Sequence, residues 1–258
     1  MPLPLYTTLF GVAILSLAVL AAIAGLMLAQ RWVSLELRQS HNLTIGIVYG
    51  ALHVSFGVII GFSAYLALNK YTLAQEAVVN EAGDVRAIHH LAGQFPEPQR
   101  DRIQQLAASY ARAVVDEEWA LMRKGQTSPN AAALTKQLTE SVDSSEPSTS
   151  AEQALYTQVL ERTHSLNQNR DDRLLDVREG LPPILWAVLV ALAVIIILFT
   201  YFLGMNSTRL HVLAIAALTA GITFTIFAIL TLDRPFSGEL RVNPAAFELV
   251  LNDIEGNS

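Results

Sequence analysis

Four runs of the chain, residues 8–30, 43–69, 181–208 and 210–232, contain no Asp, Glu, Lys or Arg. A membrane-crossing helix needs about 20 predominantly apolar residues, at about 1.5 Å rise each, to traverse a hydrocarbon core about 30 Å thick. All four runs meet that length. Buried core helices of a large soluble protein are shorter and need more polar cover than this chain has. Only 16% of its residues are charged and its mean hydropathy is +0.37, against about 25% charged in a typical soluble domain. The expected fold is all-α: an integral membrane protein with four transmembrane helices and a helical extramembrane domain. The expected divisions are residues 1–70 for spans one and two, 71–180 for the helical soluble domain, 181–232 for spans three and four, and 233–258 for a C-terminal segment.

The first run reads as a retained helix. No basic residue precedes it and it is too long for a signal-peptide core. Arg31 and Trp32 follow it as an interfacial anchor, the ring at headgroup depth and the guanidinium in water. With four spans, both termini and the large segment face one side.

Between spans two and three the pattern is helical. Tyr71, Ala74, Val78, Val85, Ile88, Ala92 and Phe95 follow an alternating three–four spacing that Glu81 interrupts; the spacing is that of a coiled-coil-like seam, suited to arranging subunits about an axis. No turn signal separates span two from this seam, so one long helix is expected to run until Phe95-Pro96-Glu97-Pro98. A second helix is expected over residues 99–124. A third opens at Ser128-Pro129, and a fourth runs from 151 to 179 behind the Ser-rich loop 144–150, with Ser150 as its cap.

Several functions are excluded by composition. The chain has no cysteine, hence no disulfide, thiolate ligand or cysteine nucleophile. Its net charge is −6, and it lacks the basic stripe that nucleic acid requires. Residues 70–179 hold 12 Lys/Arg against 17 Asp/Glu, an acidic domain that draws cations rather than anionic partners. No zinc, phosphate-loop or nucleophile-elbow motif is present, so the chain reads as a non-enzyme with no cofactor. Asp116, Glu117 and Glu118 are the weak candidates for a metal site. Consecutive helical residues point about 100° apart, so a solvated acidic face is the plainer reading. Asp171 and Asp172, among Arg170, Arg173 and Arg178, read as a charge-laced helix surface.

Span two is the most informative. Gly46, Gly50, His53, Gly57 and Gly61 fall within about 80° of arc at about 100° per residue. Small residues allow close approach of membrane helices. An ionisable side chain deep in a span faces a cavity or a partner rather than lipid. His53 therefore either bonds a neighbouring helix or faces a pore. With Thr219 and Thr223 of span four, these residues are the pore-lining candidates.

The run from Leu232 through Asp233, Arg234, Pro235, Phe236 and Gly238 to Val242 resembles the signature of a bacterial membrane family described as bestrophin-like. His41-Asn42, Glu117-Glu118-Trp119 and Leu181-Pro182 followed by Trp186 resemble it too, so the likeness covers nearly the whole chain. It implies kinship to bestrophin anion channels, which are homopentamers with four spans per subunit, and hence a homo-oligomer of the bacterial inner membrane conducting small ions through the lipid bilayer. The competing expectation is a membrane-anchored sensor or signalling scaffold whose helical domain binds a ligand or partner. Charges near the span ends place the large domain in the cytoplasm. Within the signature run, Pro235 is expected to stop span four and Gly238 to permit a tight turn. Asp233 and Arg234 are expected to pair with the 170–178 stretch or the Asp116–Glu118 cluster.

Overall fold

The computed structural model describes residues 5–178, 180–236 and 241–256, and Gly238 lies outside them. Helices account for the regular structure throughout: α1 (Leu5–Trp32), α2 (Leu35–Ser40), α3 (Asn42–Ala92), α4 (Gln99–Ala113), a π-helical turn (Val114–Glu118), α5 (Trp119–Met122), α6 (Pro129–Asp143), α7 (Ser150–Arg178), α8 (Pro183–Tyr201), α9 (Thr208–Leu232) and α10 (Ala245–Gly256). Four of them, α1, α3, α8 and α9, are long and apolar enough to cross a membrane. The chain forms two compact units. The first comprises Met1–Asn69 and Leu181–Asp233, the second Lys70–Gly180 and Arg234–Ser258. The C-terminal segment thus belongs with the helical domain.

In the first unit, α1 packs mainly along α9, and α8 contacts both. Gly11 admits the Phe227 ring, and Gly25 admits Tyr201, whose hydroxyl a Cβ at that position would strike. Phe56 of α3 meets Leu189, Ala193, Ile196 and Ile222 in one buried cluster. Within the most apolar window of α3 only 6% of residues are buried. Most of that window is therefore left for lipid or for another chain to cover.

In the second unit, the expected seam exists but is used within the chain. Ala74, Val78, Val85, Ile88, Ala92 and Phe95 are all buried in one core with residues of α4, α6, α7 and α10. Its apolar face is satisfied inside the protomer. Helix α3 ends at Ala92, ahead of the two prolines. Ser128 caps α6 by accepting from the Ala131 N–H at 3.1 Å, with Pro129 at the first position, where its missing N–H costs nothing. Thr149, one residue earlier than Ser150, caps α7 through the Glu152 N–H. The expected second helix is broken by the π turn, which sequence spacing did not show. Phe247, Val250 and Ile254 seat α10 on the domain.

Candidate functional site

Two polar assemblies stand out, one in each unit. The first is built on α3 within the membrane segment. Gly46, Gly50, Gly57 and Gly61 are exposed, and a Cβ added at any of them meets nothing within 4 Å. Taking Phe56 as the inward direction, the glycines lie about 100° around the helix from it. They form an open lateral face with no helix of the same chain packed on it.

His53 borders this face and is half-buried. Its Nδ1 lies 2.8 Å from the Tyr49 carbonyl oxygen. A carbonyl only accepts, so the proton sits on Nδ1 and a neutral ring leaves Nε2 as an acceptor. The His53 and Tyr49 rings are 4.0 Å apart. The Tyr49 hydroxyl reaches the Thr200 hydroxyl of α8 at 3.3 Å. The Thr200 carbonyl in turn accepts from Nε2 of His211 on α9 at 2.8 Å, and Gln30 of α1 reaches the His211 Nδ1 at 3.5 Å. Every span thus contributes to one polar chain, which borders the glycine face at His53. Sequence reasoning missed His211. It sits three residues into α9 and reads as an interfacial residue, yet it is fully buried.

Thr219 and Thr223 lie elsewhere. They line an apolar cleft of about 390 Å³ with Ala18, Ala22, Ala193 and Tyr201, between α1, α8 and α9. Helix α3 contributes nothing to that cleft, so within one protomer the threonines and glycines do not share a surface. Thr200, Thr225 and Thr231 donate to their own helix, but the buried Thr219 hydroxyl has no partner.

The second assembly is a charged cluster in the core of the helical domain. Arg173 is fully buried, with Nε 2.5 Å from Glu81 Oε2 and Nη2 2.8 Å from both Glu81 Oε1 and Glu118 Oε2. Arg170 clasps Glu118 with two bonds of 2.7 and 2.8 Å. The Tyr110 hydroxyl donates to Glu81. Two carboxylates and two guanidiniums leave the cluster neutral. Burial by itself would raise the Glu118 carboxyl. The Arg170 hydrogen bonds, with the charges of Arg173 and Arg170, outweigh it and hold the group below the usual carboxylate range. Burial, then the Glu81 charge, pushes the Tyr110 phenol up, so it stays a neutral donor.

The cluster corrects two expectations. Glu118 is not on a solvated face, and Arg170 and Arg173 do not decorate a helix surface. Glu117 turns outward to the Asn130 amide at 3.0 Å, while Asp116 is exposed. The three consecutive acids diverge, and among the described residues no group of three or more His, Cys, Asp or Glu is placed to hold a metal. The interruption of the seam at Glu81 is where the cluster enters the core.

Within each unit, some of the segments carrying the family resemblance meet. Trp119 meets Phe236 edge-on at 6.0 Å. Asp233 is buried and accepts the Leu181 N–H at 2.6 Å, just before α8. Its partner is therefore this backbone group and neither the 170–178 stretch nor the acidic cluster. Helix α9 stops at Leu232, ahead of Pro235. The Val242 N–H donates to the Pro235 carbonyl at 2.8 Å.

This is the architecture of a multi-pass, all-helical membrane protein with a helical extramembrane unit. The chain belongs to the family defined by the bestrophin-like domain, whose sequence profile matches residues 16–247. Solved structures share the fold at low identity. A leucine-to-threonine variant of a bacterial bestrophin homologue from Klebsiella pneumoniae superposes with a TM-score of 0.69 at 10% identity, over 94% of this chain and 99% of that one. A tyrosine-to-alanine variant of that homologue gives 0.65 at 14% identity over 94% and 97%. A proline-to-alanine variant described as a membrane protein gives 0.69 at 12% over 95% and 98%. No curated protein matches the sequence.

Proposed function

We propose that the chain is the subunit of a homo-oligomeric channel that conducts small ions passively across the bacterial inner membrane, with its helical domain in the cytoplasm and no catalytic activity. The observation that carries this reading is the open glycine face of α3, bare within the protomer and bordered by a histidine held in place by Tyr49. The four spans carry no Asp, Glu, Lys or Arg in their apolar runs, so a single chain offers ions no route through lipid. A route between copies needs a face that is small, polar at one point and unoccupied. The resemblance to bestrophins, which are pentameric anion channels, supports the same assembly and conduction.

The test is ion flux into liposomes containing the purified protein, for wild type and His53→Ala, across about pH 5 to 8, where histidine changes charge. Flux is expected from the purified wild-type protein with no added partner. Protonating His53 favours anions and opposes cations, so the sign of the acid response reports selectivity. Absence of flux for every ion tried removes the channel reading. Flux with an unchanged rate, selectivity and pH profile in His53→Ala makes His53 a packing residue.

A sensor or scaffold is the second reading. It is favoured by a groove of about 840 Å³ in the helical domain, lined by Arg86, His89, Gln94, Gln104 and Asp253. Burial, then His90, lowers the His89 imidazole, with Asp253 opposing. A ligand or partner that stabilises the full chain through this groove, without flux, selects that reading.

A further inference from the structure

Where α3 begins, α2 and the α8–α9 hairpin are locked together. A Cβ at Gly204 would lie 2.6 Å from the Gln39 nitrogen and 2.8 Å from the Arg38 carbonyl carbon. Only glycine permits this approach. Asn42 closes the junction from both directions, accepting the Gly204 N–H at 2.7 Å and donating to the Gly204 carbonyl at 3.1 Å. The Gln39 amide donates to Asn206. The backbone carrying Arg38 is held rigidly.

Its side chain is not neutralised. Arg38 is 6% exposed. Its guanidinium makes one long hydrogen bond, Nη1 to the Leu203 carbonyl at 3.5 Å, and its buried Nε has no partner. The other buried arginines among the described residues, Arg170 and Arg173, are each matched by a glutamate. None of the ion pairs among the described residues includes Arg38. A guanidinium stays charged at any physiological pH, and a buried charge is ordinarily paired. Arg31 lies in the last turn of α1 and Arg209 in the first turn of α9, while Glu36, exposed on α2, is the one acid between α1 and α3. Trp32, 83% exposed, ends α1, and Leu35 and Leu37 are exposed on α2. An exposed aromatic at the end of a span marks headgroup depth.

We infer that Arg38 anchors an anion site at this membrane interface that takes a phosphate oxyanion, supplied by the headgroup of an anionic phospholipid. The rigid junction holds the cation in place, and the counter-charge comes from outside the chain. The Nη donors of a guanidinium held in place suit phosphate oxygens. The exposed apolar residues beside the site suit acyl chains rather than water. The inference holds whether or not the chain conducts ions.

The test uses the full chain in phosphatidylcholine nanodiscs, with and without phosphatidylglycerol. Wild type is expected to show a higher Tm with phosphatidylglycerol and to retain that lipid preferentially in native mass spectrometry. In Arg38→Gln, which keeps a donor toward Leu203 but no charge, both effects are expected to vanish. In Arg38→Lys a part of each is expected to persist. Inorganic phosphate added to pure phosphatidylcholine discs separates the sources: no shift there assigns the site to lipid, and an Arg38-dependent shift there assigns it to a free oxyanion. Wild type that neither retains phosphatidylglycerol preferentially nor responds to phosphate overturns the inference, whatever the variants do. An equal response in Arg38→Gln overturns it as well.

Discussion

Replacing Arg173 by methionine tests the charged core of the helical domain. The side chain is fully buried, bonds Glu81 through two nitrogens and Glu118 through one, and rests against Met122 Sδ at 2.8 Å and the Trp119 ring at 5.7 Å. Methionine keeps much of the apolar volume and removes the charge. Glu118 retains both bonds from Arg170, but Glu81 keeps only the Tyr110 hydroxyl, and the neutral cluster becomes a buried negative one. Breaking a buried pair by removing one partner costs about 3–5 kcal/mol. At about 1.4 kcal/mol per decade this is a hundredfold or more in the opening equilibrium. The exposed Arg86–Asp253 pair, with side chains 66% and 47% accessible, serves as the control, worth about 0–1 kcal/mol. Hydrogen exchange of the full-length protein reads both, through amides of α3 beyond Ala74 and of α7 around Val159–Arg170, which report local opening. The double variant Glu81→Gln/Arg173→Met restores neutrality, leaving the Arg170–Glu118 pair intact. It should recover stability relative to Arg173→Met alone. If Arg173→Met behaves like Arg86→Met, or the double variant is no more protected than the single, the uncompensated Glu81 is not the source of the cost.

The depressed Glu118 carboxyl fixes the sign of the acid response. Its stabilising contribution is complete above the ordinary glutamate value, about 4.3, and is lost as pH falls through the lower folded value. Exchange protection of the helical domain should thus hold at mildly acidic pH and weaken below about pH 4, and Glu118→Gln should flatten that acid dependence. Gly204→Ala forces a Cβ against the Gln39 and Arg38 backbone, so it should cost about 1–3 kcal/mol, as overpacking does; a Tm in detergent equal to wild type would contradict the close approach. Single cysteines report orientation, since native cysteine is absent. Ser145 is buried and bonded to Gln99, so exposed Ser144 is the better probe of the helical domain, paired with exposed Ser40 on α2. With the domain cytoplasmic, an impermeant reagent applied to intact cells labels Ser40→Cys and spares Ser144→Cys. The reverse pattern inverts the topology.

The sequence by itself determined the four spans, the unbroken passage of span two into the helical domain, and the helix boundaries at Ser128, Pro129 and Pro235. Such features are set residue by residue. The cost of moving a segment between water and hydrocarbon adds along the chain, and a proline acts on its own neighbours. The glycine face of α3 was legible for the same reason, as a local periodicity. Tertiary structure alone decided which charges lie inside. Glu81 and Arg173 are 92 positions apart, and Glu118 and Arg170 are 52 apart. An arginine facing a buried glutamate looks, in one dimension, like an arginine facing water. The same holds for Arg38, whose burial depends on a glycine in the opposite hairpin, and for His211, whose partners come from two other helices. The π turn that carries Glu118 left no mark in the sequence spacing. Long-range pairing of this kind is a property of distances between segments, and those exist only once the helices have packed.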